Sequence, residues 1–239
     1  MDRKAAFILL LNELNITLSE KQLDQFIKYY EMLIEKNEVM NLTAITEYDE
    51  VLQKHFIDSL SLIKVYDTNK VVKVLDLGTG AGFPGIPLKI AFPSLEIVLL
   101  DSLNKRVNFL NDVIRKLELQ NITAIHGRAE EYGKDKNYRE QFDLCVSRAV
   151  AKLSTLTEYC IPYVKVQGYF ISFKAGNIQT ELEESKKAID ILGGCIDKID
   201  KFKLPDSDME RTLIKIKKIK TTPNSYPRSA GKPSKEPIM

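Results

Sequence analysis

Residues 74–85 read Val-Leu-Asp-Leu-Gly-Thr-Gly-Ala-Gly-Phe-Pro-Gly, an apolar run that ends in four glycines within eight residues. Glycine tolerates positive φ and lets the main chain touch a ligand, and a helix behind such a loop offers free N–H groups. Two acids flank the loop. Asp76 stands two residues before Gly78, and Asp101 follows the next apolar run, about 20 residues on, where a ribose contact is expected. Outside the loop, the residues able to do chemistry are few: His55, Asp58 and Ser59 close together, Cys145 and Cys160, Arg148 within Ser147-Arg148-Ala149, and Lys174.

The loop admits two ligands. Gly80, Gly82 and Gly85 satisfy the dinucleotide pattern GxGxxG, which keeps NAD open. Asp76 extends the pattern to DxGxGxG, the first motif of S-adenosylmethionine-dependent methyltransferases. An acid there suits a ligand with an ammonium group and opposes a pyrophosphate. His126-Gly127-Arg128-Ala129-Glu130 follows the third strand-like run, where methyltransferases of this fold contact adenine. S-adenosylmethionine is therefore the favoured ligand. Blander roles stand beside these: Asp101 as a cap before Asn104-Lys105-Arg106, and Glu130 as an acid in a helix's first turn.

Methyl transfer from a sulfonium is an in-line displacement, much of whose rate comes from alignment. Methylation at cytosine C5 usually needs an attacking cysteine, commonly beside proline. Neither Cys145 nor Cys160 has that context, and both read as small buried hydrophobes. Exocyclic amines usually require [DN]-P-P-[YF] after the fourth strand, where this chain has Ser147-Arg148-Ala149-Val150. A ring nitrogen such as guanine N7 offers a lone pair and no proton, so it needs no general base. In RNA that edge lies in a deep, narrow groove, so the base must be looped or flipped out.

The elements that position these groups follow from periodicity. Residues 1–70 read as helical: Ser19 and Gln22 form a capping box, and Leu23, Phe26, Ile27, Tyr30, Leu33 and Ile34 make one apolar stripe. A third helix is expected over 47–65. From residue 71 short apolar runs (71–77, 95–100, 122–125, 142–146, 169–173) alternate with amphipathic stretches. That alternation predicts βαβ units and a mostly parallel sheet in an α/β fold. The stretch 202–220 predicts a closing hairpin with Leu213 to Lys217 as its second arm. The expected organisation is a helical cap over 1–70, a sheet domain over 71–220 and a basic, proline-containing tail over 221–239, taken as ordered on contact or floppy. With 239 residues, a net charge of +2 and three scattered cysteines, the chain predicts neither a zinc site nor a disulfide framework. It reads as a reduced, cytoplasmic protein without a membrane span or bound metal, and a monomer is expected.

The glycine loop, Asp101-Ser-Leu-Asn-Lys-Arg106 and Ser147-Arg148-Ala149 together resemble the bacterial small-subunit ribosomal RNA guanine-N7 methyltransferases, the glucose-inhibited division protein B family. The similarity also takes in Asn41-Leu-Thr43, His55 to Ser59, Phe173-Lys-Ala175 and Tyr226-Pro-Arg228. One position departs: many members read Lys-Gly where this chain has Lys174-Ala175. The resemblance implies a Rossmann-like class I methyltransferase fold with a helical cap, acting on a guanine near the decoding site of 16S rRNA. It places cofactor contacts at Gly78, Phe83, Ala129, Glu130 and Arg148, beside the ribose contact that position alone suggests at Asp101. Arg148 suits a carboxylate, a phosphate or an ion pair. His55, Asp58 and the adjacent Ser59 read as a buried polar network between cap and sheet, since three neighbours on one helix do not readily form a triad. Lys174 and Arg228 are candidate substrate contacts. From Arg211 onward the chain carries 8 basic residues against 1 acidic, which predicts a phosphate-contacting surface including Arg228, Lys232 and Lys235. An NAD-dependent oxidoreductase and a non-catalytic ribosome-assembly factor remain the alternatives.

Overall fold

The computed structural model describes residues 3–69, 72–148, 150–176 and 178–239. Val71 and Ala149, each part of a run singled out above, lie outside the described residues. The N-terminal third is helical. α1 (Arg3–Glu13) leads to α2 (Glu20–Met40), whose capping box is present: Ser19 accepts from the Gln22 N–H while the Gln22 side chain accepts from the Ser19 N–H. Asn41 ends α2 in the left-handed conformation, which asparagine tolerates. The expected third helix is a composite of α3 (Tyr48–Val51), a π-helical stretch (Leu52–Ile57), α4 (Asp58–Leu60) and a 3-10 turn (Ser61–Lys64). π-helical turns recur at functional sites because they displace carbonyls from the regular ladder.

Seven strands follow: β1 (Lys73–Leu77), β2 (Glu96–Asp101), β3 (Ile122–His126), β4 (Phe142–Arg148), β5 (Val164–Ala175), β6 (Gly194–Lys203) and β7 (Glu210–Lys218). They form one sheet in the order β3-β2-β1-β4-β5-β7-β6. The first five pair in parallel, and β7 runs antiparallel to both neighbours. Between them lie α5 (Gly85–Ala91), α6 (Asn104–Lys116), α7 (Ala129–Tyr132), α8 (Leu153–Cys160) and α9 (Gln179–Ile191), with the short α10 (Lys232–Lys235) near the end. The strand order reverses between β1 and β4, and ligands of such sheets bind at the carboxyl ends beside that point.

The hairpin differs from the sequence expectation in its first arm, which occupies 194–203 instead of starting at Phe202. A register shift between Ile196 and Lys198 breaks the alternation that would have marked it as a strand.

One apolar cluster joins cap and sheet. Phe7, Phe26 and Phe56 pack edge-on or tilted at ring separations of 4.9 to 6.0 Å, and the same cluster takes in Val74, Leu88, Leu99 and Val146. Polar bonds reinforce it: the buried Tyr29 hydroxyl donates to the Ala81 carbonyl at 2.7 Å, and Gln22 caps the end of α5 through the Ile90 and Ala91 carbonyls. The other face packs α8 and α9 against the sheet, with Cys145 and Cys160 buried among them.

Candidate active site

The glycine loop leaves β1 and enters α5 through backbone that side chains rarely adopt. Gly78 has φ +71°, Gly80 +62° and Gly82 +110°. Gly78 is constrained twice, because a Cβ there would stand 2.5 Å from a methyl of Val150. At Gly85 the limit is packing: a Cβ would meet Leu99 at 2.3 Å and the Asp76 carboxylate at 2.8 Å. The third glycine thus lets helix and strand approach. Gly80 faces open space, and a Cβ there meets nothing within 4 Å.

Asp76 organises the loop from below. It is wholly buried, and its Oδ2 accepts from the Thr79 hydroxyl at 2.6 Å and the Gly85 N–H at 2.8 Å. Its Oδ1 has no partner among the described protein groups. Burial pushes this carboxyl up to about 7, against the lowering effect of those two hydrogen bonds. A buried acceptor without a donor, under a loop whose main chain is half-open only at Gly78 and Gly80, fits a ligand that brings N–H groups and positive charge.

A pocket of about 230 Å³ opens at the ends of β1, β2 and β3. Gly78, Ala129 and Glu130 line it, together with Ser102, Gly127 and Tyr159. Gly127 permits the turn out of β3 to lie against Tyr132, whose ring would be 2.1 Å from a Cβ. Asp101 is buried beside the pocket, not on its wall. Its carboxylate accepts from the N–H groups of Gly80 and Leu103, each at 2.9 Å, and lies 3.5 Å from Arg106. It therefore ties the glycine loop to the turn before α6; the helix itself, with Leu103 at its N-cap, has no side-chain cap.

Phe83 and Arg148 come together in a second cluster at the junction of cap and sheet. The Phe83 ring stacks on His55 at 4.5 Å, and the Arg148 guanidinium lies over Phe83 at 4.9 Å. Arg148 donates to Asp58 Oδ2 at 2.8 Å and to the displaced carbonyls of Lys54 and His55, and its other nitrogen faces His55 Nδ1 at 3.3 Å. Arg211 of β7 donates to the second Asp58 oxygen at 3.0 Å. His55 Nε2 meets the Thr43 hydroxyl at 2.8 Å, while Ser59 donates to the His55 main-chain carbonyl. There is no triad, since Ser59 never reaches the imidazole. Burial and then Arg148 push His55 down to about 3, so the ring is neutral. The structure thus makes Arg148 part of the polar network expected for His55 and Asp58, and its ion-pair role is the one filled.

Two substrate candidates change character. Lys174 is neither solvated nor turned outward: it donates to Glu181 at 2.6 Å and to the Ala151 carbonyl at 2.8 Å, bracing the segment after β4. Arg228 forms a bidentate pair with Glu158 of α8 at 2.6 and 2.9 Å, and the Glu158 side chain is 1% exposed. This corrects the expectation of a phosphate contact at Arg228, because a carboxylate already fills its fork. The same holds for much of the basic C-terminal stretch. Arg211, Lys215, Lys218, Lys220, Arg228 and Lys232 all pair with carboxylates, five of them elsewhere in the fold. Lys218 is fully buried beside Glu140. The excess charge of the stretch from Arg211 onward is thus largely matched inside the protein.

Among the described residues no group of His, Cys, Asp and Glu could hold a metal ion, and no helix is long and apolar enough to cross a membrane.

The strand order, the antiparallel seventh strand and the glycine loop beside the switch point define a Rossmann-like class I methyltransferase fold. Structural relatives agree at the level of fold: a mutant of MtNAS superposes with TM-score 0.56 at 15% identity, covering 81% of this chain and 74% of that one. M. jannaschii TYW2, solved in complex with AdoMet, gives 0.52 at 16% identity over 68% of this chain and 77% of its own. The chain belongs to the GidB family, rRNA small subunit methyltransferase G, whose model matches residues 22–213. A ribosomal RNA small subunit methyltransferase G from Lachnoclostridium phytofermentans is 58% identical over 239 residues, 100% of this chain and 99% of its own.

Proposed function

We propose that this chain methylates guanine N7 in the 16S rRNA of the small ribosomal subunit, with S-adenosylmethionine as methyl donor. The observation that carries the reading is the family match over residues 22–213, and the buried Asp76, with an unpartnered Oδ1 beneath a glycine loop at the switch point of a methyltransferase fold, supports the cofactor. S-adenosylmethionine, when bound, supplies an electrophilic methyl group on a sulfonium. Gly78, Ala129 and Glu130 line the pocket that would hold its adenosine side. The orphaned Asp76 oxygen favours positive charge at the loop and disfavours the pyrophosphate of NAD. Phe83 and Arg148 would act behind the pocket, fixing the loop and the cap against each other, while Asp101 holds the loop to the turn before α6.

An N7 acceptor asks little more of the protein. The lone pair attacks without losing a proton, so alignment and exclusion of water are the chain's contributions. His55, held near 3 by burial and so a weak base, and the paired Lys174 accord with a site that supplies no general base.

The test is transfer of a labelled methyl group to small subunits and to naked 16S rRNA, with mapping of the modified base. Label at guanine N7 is expected. Label on a pyrimidine or on protein rejects the acceptor, and stabilisation by NAD but not S-adenosylhomocysteine rejects the cofactor.

A further inference from the structure

The sheet and its helices do not close the pocket. Its outer side is completed by Gly231 and Ser234, which lie in the tail more than 100 residues from Glu130 on the pocket wall. The tail is seated there by several independent contacts. The Arg139 guanidinium donates to the main-chain carbonyls of Thr222, Pro223 and Tyr226. Pro227 packs on Gly133, where a Cβ would stand 2.9 Å from its ring. Arg228 is clamped by the buried Glu158, and the Thr155 hydroxyl donates to the Pro233 carbonyl. At the end of this path the Gly231 N–H donates to Glu130 Oε1 at 2.8 Å. Gly231 has φ +80°, which glycine adopts without strain.

We infer that residues 229–234 belong to the cofactor site: the tail forms the outer wall of its adenosine side, and the Gly231 N–H holds the Glu130 carboxylate in place there. The inference rests on the S-adenosylmethionine reading of the pocket. Glu130 is 7% exposed, and this main-chain donor satisfies its carboxylate at the wall. Without the tail the pocket becomes an open groove, and the carboxylate is free to turn away. The glycine motif therefore supplies only part of the binding surface, and affinity depends on a segment that contains no recognised cofactor motif.

The experiment compares the full chain with one ending at Arg228, which keeps the Arg139 clasp and the Arg228–Glu158 pair. S-adenosylhomocysteine and adenosine are titrated into each by calorimetry. The full chain binds S-adenosylhomocysteine; a full chain that does not bind it refutes the cofactor reading itself. The shortened chain is expected to unfold cooperatively and to bind both probes at least tenfold more weakly. Affinities within twofold of the full chain overturn the inference. So does a loss confined to S-adenosylhomocysteine with adenosine unaffected, which would move the tail's contact off the adenosine side. Hydrogen exchange on the full chain decides the matter if the shortened one fails to fold. Amides of 229–235 should slow on adding S-adenosylhomocysteine, and unchanged exchange overturns the inference.

Discussion

Replacement of Asp58 by alanine tests the junction between cap and sheet. Asp58 bonds Arg148 with one carboxylate oxygen and Arg211 with the other, at 2.8 and 3.0 Å. All three side chains are mostly withdrawn from water, at 7%, 12% and 18% exposure. Removing one partner of a buried pair costs about 3–5 kcal/mol, because the remaining charge stays desolvated. The lower end applies here. Arg148 keeps the carbonyls of Lys54 and His55, and Arg211 keeps that of Glu210. About 3 kcal/mol corresponds to roughly 6–12 °C in Tm for a chain of this size. Arg211→Ala leaves Asp58 paired with Arg148, so its cost should be roughly half as large. Urea and thermal unfolding followed by circular dichroism measure both, and a double-mutant cycle should return a coupling above about 1 kcal/mol. A Tm drop below roughly 3 °C for Asp58→Ala, or strict additivity with Arg211→Ala, would show that the network does not brace the fold as described.

Further outcomes follow from the buried groups. The Asp76 carboxyl lies near 7 when folded against an ordinary 3.8, so it stays protonated where the unfolded chain ionises. Its contribution is fully present below about pH 4 and lost as pH rises through about 7. Asp76→Asn should therefore stabilise the ligand-free protein at pH 8 relative to its effect at pH 4.5, while weakening S-adenosylhomocysteine binding; parallel stability profiles would contradict this. His55 has the opposite sign: held near 3, it leaves the folded state short of a proton below about 6.5, so stability falls as pH drops across that window. Its ring resonances should show no titration above pH 5 by NMR, and a midpoint near 6.5 would mean the ring is hydrated. Gly85→Ala should cost roughly 1–3 kcal/mol by overpacking against Leu99 and Asp76. A melting temperature equal to the parent's would show that α5 can lift away from β2.

Much of the fold was legible because its signals are local. Ser19 and Gln22 sit three residues apart, the distance over which a capping box acts, and the box formed as read. Parallel strands separated by helix-length segments emerged from periodicity alone. The first arm of the hairpin did not, because a register shift and interleaved charges at Asp197, Lys198, Asp200 and Lys201 erase the alternation of a half-buried strand. For the pocket, the glycine loop and Glu130 were visible as motif residues. Gly231 and Ser234 were not, since neither belongs to a recognisable pattern.

The sequence by itself determined which residues are able to bend, cap and repeat: the glycine loop, the acid beneath it and the βαβ rhythm that puts both at one end of a sheet. These depend on neighbours within a few positions. Only the tertiary structure decided where the charges go. Arg228 and Glu158 are 70 positions apart, and Arg211 and Asp58 are 153 apart. A guanidinium pairs with whichever carboxylate the fold brings within 3 Å, and desolvation then makes the pair obligatory. That is why a stretch that reads as a basic surface in one dimension becomes, once folded, the clasp that holds the end of the chain over the pocket.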